Sequence, residues 1–158
     1  MMTMKTRIIW TKIWDDKWFD SLSRDARDLF IYLLTNQDIG LSGCYYITDK
    51  KICYHTHLND DELQEAKKQL NPKIMFTEDW VYVSNSQGYN GFTGKNNEIA
   101  LKREIELIPK NIKNAFNIVI SYTHANGDIY PINHNHNNKS EIIKKKAYKL
   151  IGNTMVEE

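Results

Sequence analysis

Between Leu22 and Val83 the hydrophobic period of the chain switches repeatedly, and the order of those switches constrains the fold more than any other feature. Ser23 stands where a helix N-cap belongs, with Asp25 in the first turn to favour the positive end of the helix dipole. Ala26, Leu29, Phe30, Leu33 and Leu34 then recur at helical spacing and predict one buried face. Gly40 and Gly43 break the chain, and Cys44 to Thr48 is a short run of strand formers. Asp49 is the expected cap of a brief helix through Lys51, Ile52 and Tyr54, followed by a polar corner at His55, Thr56 and His57. Asn59 or Asp60 caps a third helix with Leu63, Ala66 and Leu70 inward. That helix ends at Asn71-Pro72, because proline cannot continue the hydrogen-bond ladder. Ile74–Phe76 and Trp80–Val83 read as strands around a turn at Thr77, Glu78 and Asp79. Helix, strand, helix, helix, strand, strand is the order of a winged helix-turn-helix with a small β-hairpin wing, an α+β fold that is mainly α.

Beyond the hairpin, Ser84 to Gly94 is a loop dense in Ser, Gly and Asn. Asn96 or Asn97 is the expected cap of a helix through Ile99, Arg103 and Leu107, broken at Pro109 and restarting through Ile112 to Phe116. Ala125-Asn-Gly-Asp128 is a turn signal between strand candidates at Ile118–Tyr122 and Ile129–Ile132. Asn133 to Asn138 is an Asn/His tract with nothing apolar to bury. Glu141 to Ile151 reads as a helix with Ile143, Ala147, Leu150 and Ile151 on one arc and lysines on another, stopped by Gly152. The expected organisation is a winged-helix domain with an additional helix over 1–116 and an Asn/His-rich linker or hairpin over 117–139. A basic amphipathic helix over 140–152 and a tail over 153–158 follow.

The 158 residues suit one ordinary domain, and 41 % hydrophobic with 26 % charged composition excludes a wholly disordered or collagenous chain. The longest strongly apolar run, Leu29 to Leu34, is far shorter than the roughly 20 residues a bilayer crossing needs. Lys5, Arg7, Lys12 and Lys17 interrupt the apolar amino-terminal stretch, so it lacks the unbroken core of a secretory leader. Cys44 and Cys53 read as reduced thiols, and the expected location is a bacterial cytoplasm. A net charge of +1 does not by itself announce nucleic acid. Charge is unevenly placed, however. Five lysines and one acid lie between Lys139 and Lys149, whereas Asp60, Asp61, Glu62 and Glu65 outnumber Lys67 and Lys68 on the third helix.

Trp14 to Phe19, "LSRDARDLFIYLLTN", "GLSGCYYIT", "LNDDELQEAKKQL", "WVYVSN" and "YNGFTGKNNEIALKREIELIP" follow one another in an order that resembles the amino-terminal winged-helix domain of phage replication-initiation proteins, the DnaD-like replisome organisers. The resemblance covers roughly residues 7 to 116, and the Asn/His tract after "DIYPI" resembles the linker of those proteins. It implies binding of replication-origin DNA and recruitment of host helicase or helicase loader. No separate helicase-loading domain is evident after the linker, only the basic segment at 140–152.

None of the residues forms a catalytic or cofactor signature, and no enzyme activity, metal or cofactor is expected. Gly94-Lys95-Asn96 lacks the glycine five residues before Gly94 and the hydroxyl after lysine that a phosphate-binding loop needs. Cys53, His55 and His57 have zinc-ligand chemistry but not finger spacing, and read as a polar corner. Asp15-Asp16 and Asp60-Asp61 are adjacent and read as caps. Trp10, Trp14 and Trp18, spaced by four, are expected to form one apolar stripe against the first helix, although such rings also stack bases.

If the third helix enters a major groove, the contacting residues are Lys50 and Lys51, Thr56, His57 and Asn59 at the corner, and Gln64, Lys67 and Lys68. The acids beside them shift the expected phosphate contacts towards Lys95, Lys102, Arg103, Lys144, Lys145, Lys146 and Lys149. The alternative is a protein-interaction module or transcriptional regulator in which the acidic helix docks a host protein. Self-association through the apolar arc of the 140–152 segment is a further expectation.

Overall fold

The computed structural model describes residues 5–86, 94–122, 129–133, 148–151 and 154–157; from Val119 onward only the backbone is described. A 3-10 turn at Thr11–Asp15 leads into α1 (Lys17–Ser21) and α2 (Arg24–Thr35), then β1 (Cys44–Tyr46), α3 (Asp49–Thr56), α4 (Asp60–Leu70), β2 (Ile74–Thr77) and β3 (Trp80–Val83). Two further helices follow, α5 (Lys95–Leu107) and α6 (Lys110–Ala115), and then two hairpins, β4 (Ile118–Tyr122) with β5 (Ile129–Asn133) and β6 (Tyr148–Ile151) with β7 (Thr154–Glu157). The molecule is α+β and mainly helical, around one small antiparallel sheet.

Local signals set most boundaries. Ser23 Oγ accepts from the Ala26 amide at 3.2 Å and starts α2. Asn59 and Glu62 form a reciprocal capping box at α4, with both bonds at 2.9 Å. Two caps differ from expectation. Thr48, not Asp49, caps α3, so β1 ends earlier than Thr48 and the Asp49 carboxylate is left for other partners. Gly94, not Asn96 or Asn97, stands at the N-cap of α5, with no side-chain cap bond.

The sheet order is β1-β3-β2, antiparallel throughout. Cys44, Tyr82 and Met75 stand in line across the three strands on one face; Tyr45, Val81 and Phe76 stand in line on the other. The second row joins the larger core, in which Phe19, Leu29, Phe30, Leu33, Ile52, Leu63 and Leu70 from α1 to α4 are all buried. The first row joins a smaller core with Leu101, Ile105 and Ile112 from α5 and α6 and Phe116 at the C-cap of α6. Both faces are covered, which is why Trp80 to Val83 shows no polar alternation.

The loop before β1 ties the two cores together. Glu104 on α5 accepts from the amides of Leu41 (3.1 Å) and Ser42 (3.0 Å). Gly40 makes that approach possible, because a Cβ there would collide with the Glu104 carboxylate.

The sequence-based helix over 140–152 is overturned in part: Tyr148–Ile151 is strand, paired with Thr154–Glu157. Tyr148, Ile151, Thr154 and Val156 favour pleated backbone, and the Gly152-Asn153 pair between the strands has the composition of a tight hairpin loop. Residues 134–147 lie outside the described residues, so the Asn/His tract and the helix start are not seen. The stretch at 118–133 forms the expected hairpin, one residue longer than read.

Losing the Glu104 carboxylate in Glu104→Ala is expected to cost about 1–3 kcal/mol, since two amides lose a charged acceptor. Gly40→Ala should destabilise the native chain but cost much less in the Glu104→Ala background; a double-mutant cycle by urea unfolding checks the coupling.

Candidate nucleic-acid interface

Helix α3 and α4 meet at His57, whose backbone is left-handed (φ 60°) and whose amide bonds Cys53 O at 2.9 Å. Leu58 behind the corner is buried, so α4 projects an outward side bearing Asp60, Asp61, Glu62, Gln64, Glu65 and Lys68. The β2–β3 turn adds Glu78 and Asp79, the latter 3.3 Å from the Tyr46 hydroxyl. That carboxylate, first by its charge, raises the Tyr46 pKa above its ordinary value.

Most of the polar residues expected to read DNA are spent on the fold. Lys51 pairs with Asp38 at 2.5 Å. Lys67 pairs with Asp49 at 2.5 Å, is only 12 % exposed, and lies 5.0 Å over the Phe76 ring. Gln64 donates to the other oxygen of Asp49 at 3.0 Å. Asn59 is held in the capping box, and Thr56 donates to Ile52 O at 2.8 Å. Lys68 is exposed, with Glu65 3.4 Å away. Lys50 and His57 are exposed and make no ion pair among the described residues.

Lys95 and Arg103 are exposed on α5, and Lys102 is half-buried there. They sit on the far side of the sheet's second core from α4, so the structure does not gather them with the corner. Lys144, Lys145 and Lys146 fall outside the described residues. Lys149 is in β6 opposite Val156, a strand position rather than the helical one expected.

The corner has no metal or nucleophile chemistry of its own. His55 Nδ1 is 2.7 Å from the Tyr32 hydroxyl. Burial, with Asp60 and Asp49 nearby, pushes the Cys53 thiol up, which keeps it protonated. Cys44 lies in the second core, where burial pushes its thiol to about 12. Among the described residues no group of three or more His, Cys, Asp or Glu side chains is placed to hold a metal ion. Nor is any described helix long and apolar enough to cross a membrane.

The sequence reading placed the tryptophans in one buried stripe, and the structure corrects it. Trp18 is half-buried and packs edge-on against Phe30 at 5.3 Å, whereas Trp10 and Trp14 are exposed. The 3-10 turn has three residues per turn, so the four-residue spacing does not align there. Asp16 then caps a new helix, accepting from the Trp18 and Phe19 amides at 2.8 and 3.1 Å. The adjacent Asp15-Asp16 pair was the available signal for that break. A groove of about 550 Å³ opens between the amino-terminal segment and α1–α2.

Comparison with protein-family models, with curated proteins and with solved structures gives no match.

Two outcomes follow from this geometry. Lys67→Ala is expected to lower stability by about 1 kcal/mol through loss of its bond to Asp49 and its packing on Phe76, while Lys68→Ala should change it by less than about 0.5 kcal/mol, both read by urea unfolding. The Phe19 amide foremost, helped by Lys73, the Trp18 amide and Lys12, holds the Asp16 carboxyl below its ordinary value against the opposing effect of burial. A lowered folded pKa contributes stability above the unfolded value and loses it as pH falls. Asp16→Ala should therefore cost about 1 kcal/mol near neutral pH, and the gap from the native chain should narrow in thermal melts as acid protonates the Asp16 carboxyl.

Proposed function

We propose that this chain is a winged-helix DNA-binding protein of phage or prophage type that acts in replication initiation, organising origin DNA for the host helicase machinery. The observation that carries the reading is topological. Helix α2, strand β1, helices α3 and α4, and the β2–β3 hairpin follow in winged-helix order, with the sheet paired β1-β3-β2. The helix-turn-helix corner at His57 and the segments quoted above for the replisome-organiser family support the same assignment. On this reading Lys50, His57 and Lys68 are the cations or polar groups of the α3–α4 face left outward for phosphate, and Lys95 and Arg103 extend the contact along α5. The protein acts without an enzymatic step, in a bacterial cytoplasm.

A second reading has its own observation. Helix α4 carries four acids against two lysines, of which Lys67 is bound to Asp49, and the hairpin turn adds Glu78 and Asp79. Such a face repels phosphate and suits a basic surface on a partner protein, a host replication or regulatory protein.

Duplex binding across a salt series separates the two. The DNA reading expects log affinity to fall linearly with log salt, with a slope of roughly −0.9 per phosphate neutralised. If α4 itself enters the groove, the Asp60→Asn, Asp61→Asn, Glu65→Gln triple variant should bind duplex more tightly at low salt. Absence of duplex binding at low salt overturns the DNA reading in favour of the protein partner.

A further inference from the structure

Trp10 is 55 % and Trp14 67 % exposed, and Ile8 beside them is 58 % exposed. Each ring keeps more than half of its surface in water, which is costly for a large aromatic group. Ile8 and Trp10 line a groove of about 550 Å³ that runs over Ile13, Trp18 and Phe19; Trp14 stands outside that lining but packs edge-on against Phe19 at 5.6 Å.

Lysines stand beside the exposed rings and the groove. Lys12 Nζ lies 5.9 Å from the Trp10 ring centre and Lys73 Nζ 3.9 Å from that of Trp18, and both line the groove. Neither makes an ion pair with a carboxylate among the described residues. Lys17, exposed at the start of α1, adds a third charge. The acids of the groove are Asp15 and Asp16, and Asp16 directs an oxygen at the amides of α1.

We propose that this groove binds single-stranded nucleic acid, with bases stacked on Trp10 and Trp14 and phosphates along Lys12, Lys17 and Lys73. Exposed rings interleaved with lysines are the two parts such a site needs, and stacking works with any base. A duplex does not fit the same chemistry, because its base faces are already stacked and only its phosphates would meet the lysines. Lys12, Lys17 and Lys73 outnumber Asp15 and Asp16, and a polyanion supplies the remaining counter-charge where an uncharged apolar peptide would not. The inference goes beyond the reading of α3 and α4 and does not rest on it, since it uses none of their residues.

The test titrates the full chain with an oligothymidylate of about twelve nucleotides at low salt, following tryptophan fluorescence and the anisotropy of a labelled strand. The native chain is expected to bind with quenching, and affinity should fall with rising salt. Trp10→Ala and Trp14→Ala should each weaken binding about ten-fold, with the melting temperature of Trp10→Ala unchanged because its ring is exposed. Trp10→Phe should restore most of the loss, and Lys12→Ala should weaken binding and flatten its salt dependence. A duplex of equal length, titrated in parallel, should be indifferent to the tryptophan variants. Failure of the native chain to bind the single strand, or variants that bind it as the native chain does, overturns the proposal. So does an equal loss for duplex and single strand. Loss of duplex binding alone overturns the winged-helix DNA reading and leaves this one standing.

Discussion

Strand β3 serves two hydrophobic cores at once, and most of the molecule is arranged around that requirement. Val81 and Val83 face the helices α1 to α4, while Tyr82 faces α5 and α6. Its position between β1 and β2 places every backbone group of Val81 and Tyr82 opposite a paired neighbour. A sheet of three short strands is weak alone, and covering both faces supplies the burial that holds it. The two faces are satisfied differently. On the first, the Tyr45 hydroxyl donates to Leu33 O at 2.8 Å and accepts from Asn36 at 2.9 Å. On the second, the Tyr82 hydroxyl is buried with no hydrogen-bond partner among the described residues, and burial, with Cys44 beside it, pushes it up to about 12. The Tyr82 ring itself is held by packing, with the ring of Phe116 5.7 Å away.

The same economy of polar groups shapes the outward face of α4. A helix that begins with Asp60, Asp61 and Glu62 is well started, because acids at its amino end complement the dipole and Glu62 closes the capping box. Asp49 likewise gathers Lys67 and Gln64 and so ties α3 to α4. Each of these choices strengthens the corner and ties up a polar group of α3 or α4. On the DNA reading proposed above, stability of the α3–α4 pair and affinity of its outward face for phosphate would pull in opposite directions.

How much was legible in the sequence follows from which forces were local. Ser23, Asn59 and the Asn71-Pro72 break act within a few residues, and the apolar spacing of α2 and α4 reports burial directly, so those elements were readable. The two-sided burial of β3 was visible only as missing alternation. Glu104 reaching Leu41 and Ser42 joins residues more than sixty positions apart, and no spacing rule carries that contact. The carboxyl-terminal segment failed for a different reason. Its apolar residues suit a helical arc and a strand equally well, and cross-strand pairing with Thr154–Glu157 decided the outcome. At the candidate interface, residue types were readable but their partners were not: Lys51 and Lys67 look free in sequence and are ion-paired in space.

The amino-terminal groove follows from how the segment before α1 is anchored. Lys5 donates to Gln37 O at 3.1 Å and Arg7 to Ile39 O at 2.6 Å, so the chain is pinned along the exit of α2. Asp16 pins the other end by capping α1. Between those anchors the backbone closes its distance with a 3-10 turn rather than a longer α-helix. Ile13 packs inward against the core, Trp14 follows it about a third of a turn round, and Trp10 precedes the turn in extended conformation. Extending α1 backwards through the turn would instead place Trp14 and Trp18, four residues apart, on one helix face. The exposure of the rings is thus a consequence of the Asp16 cap and the carbonyl anchors together.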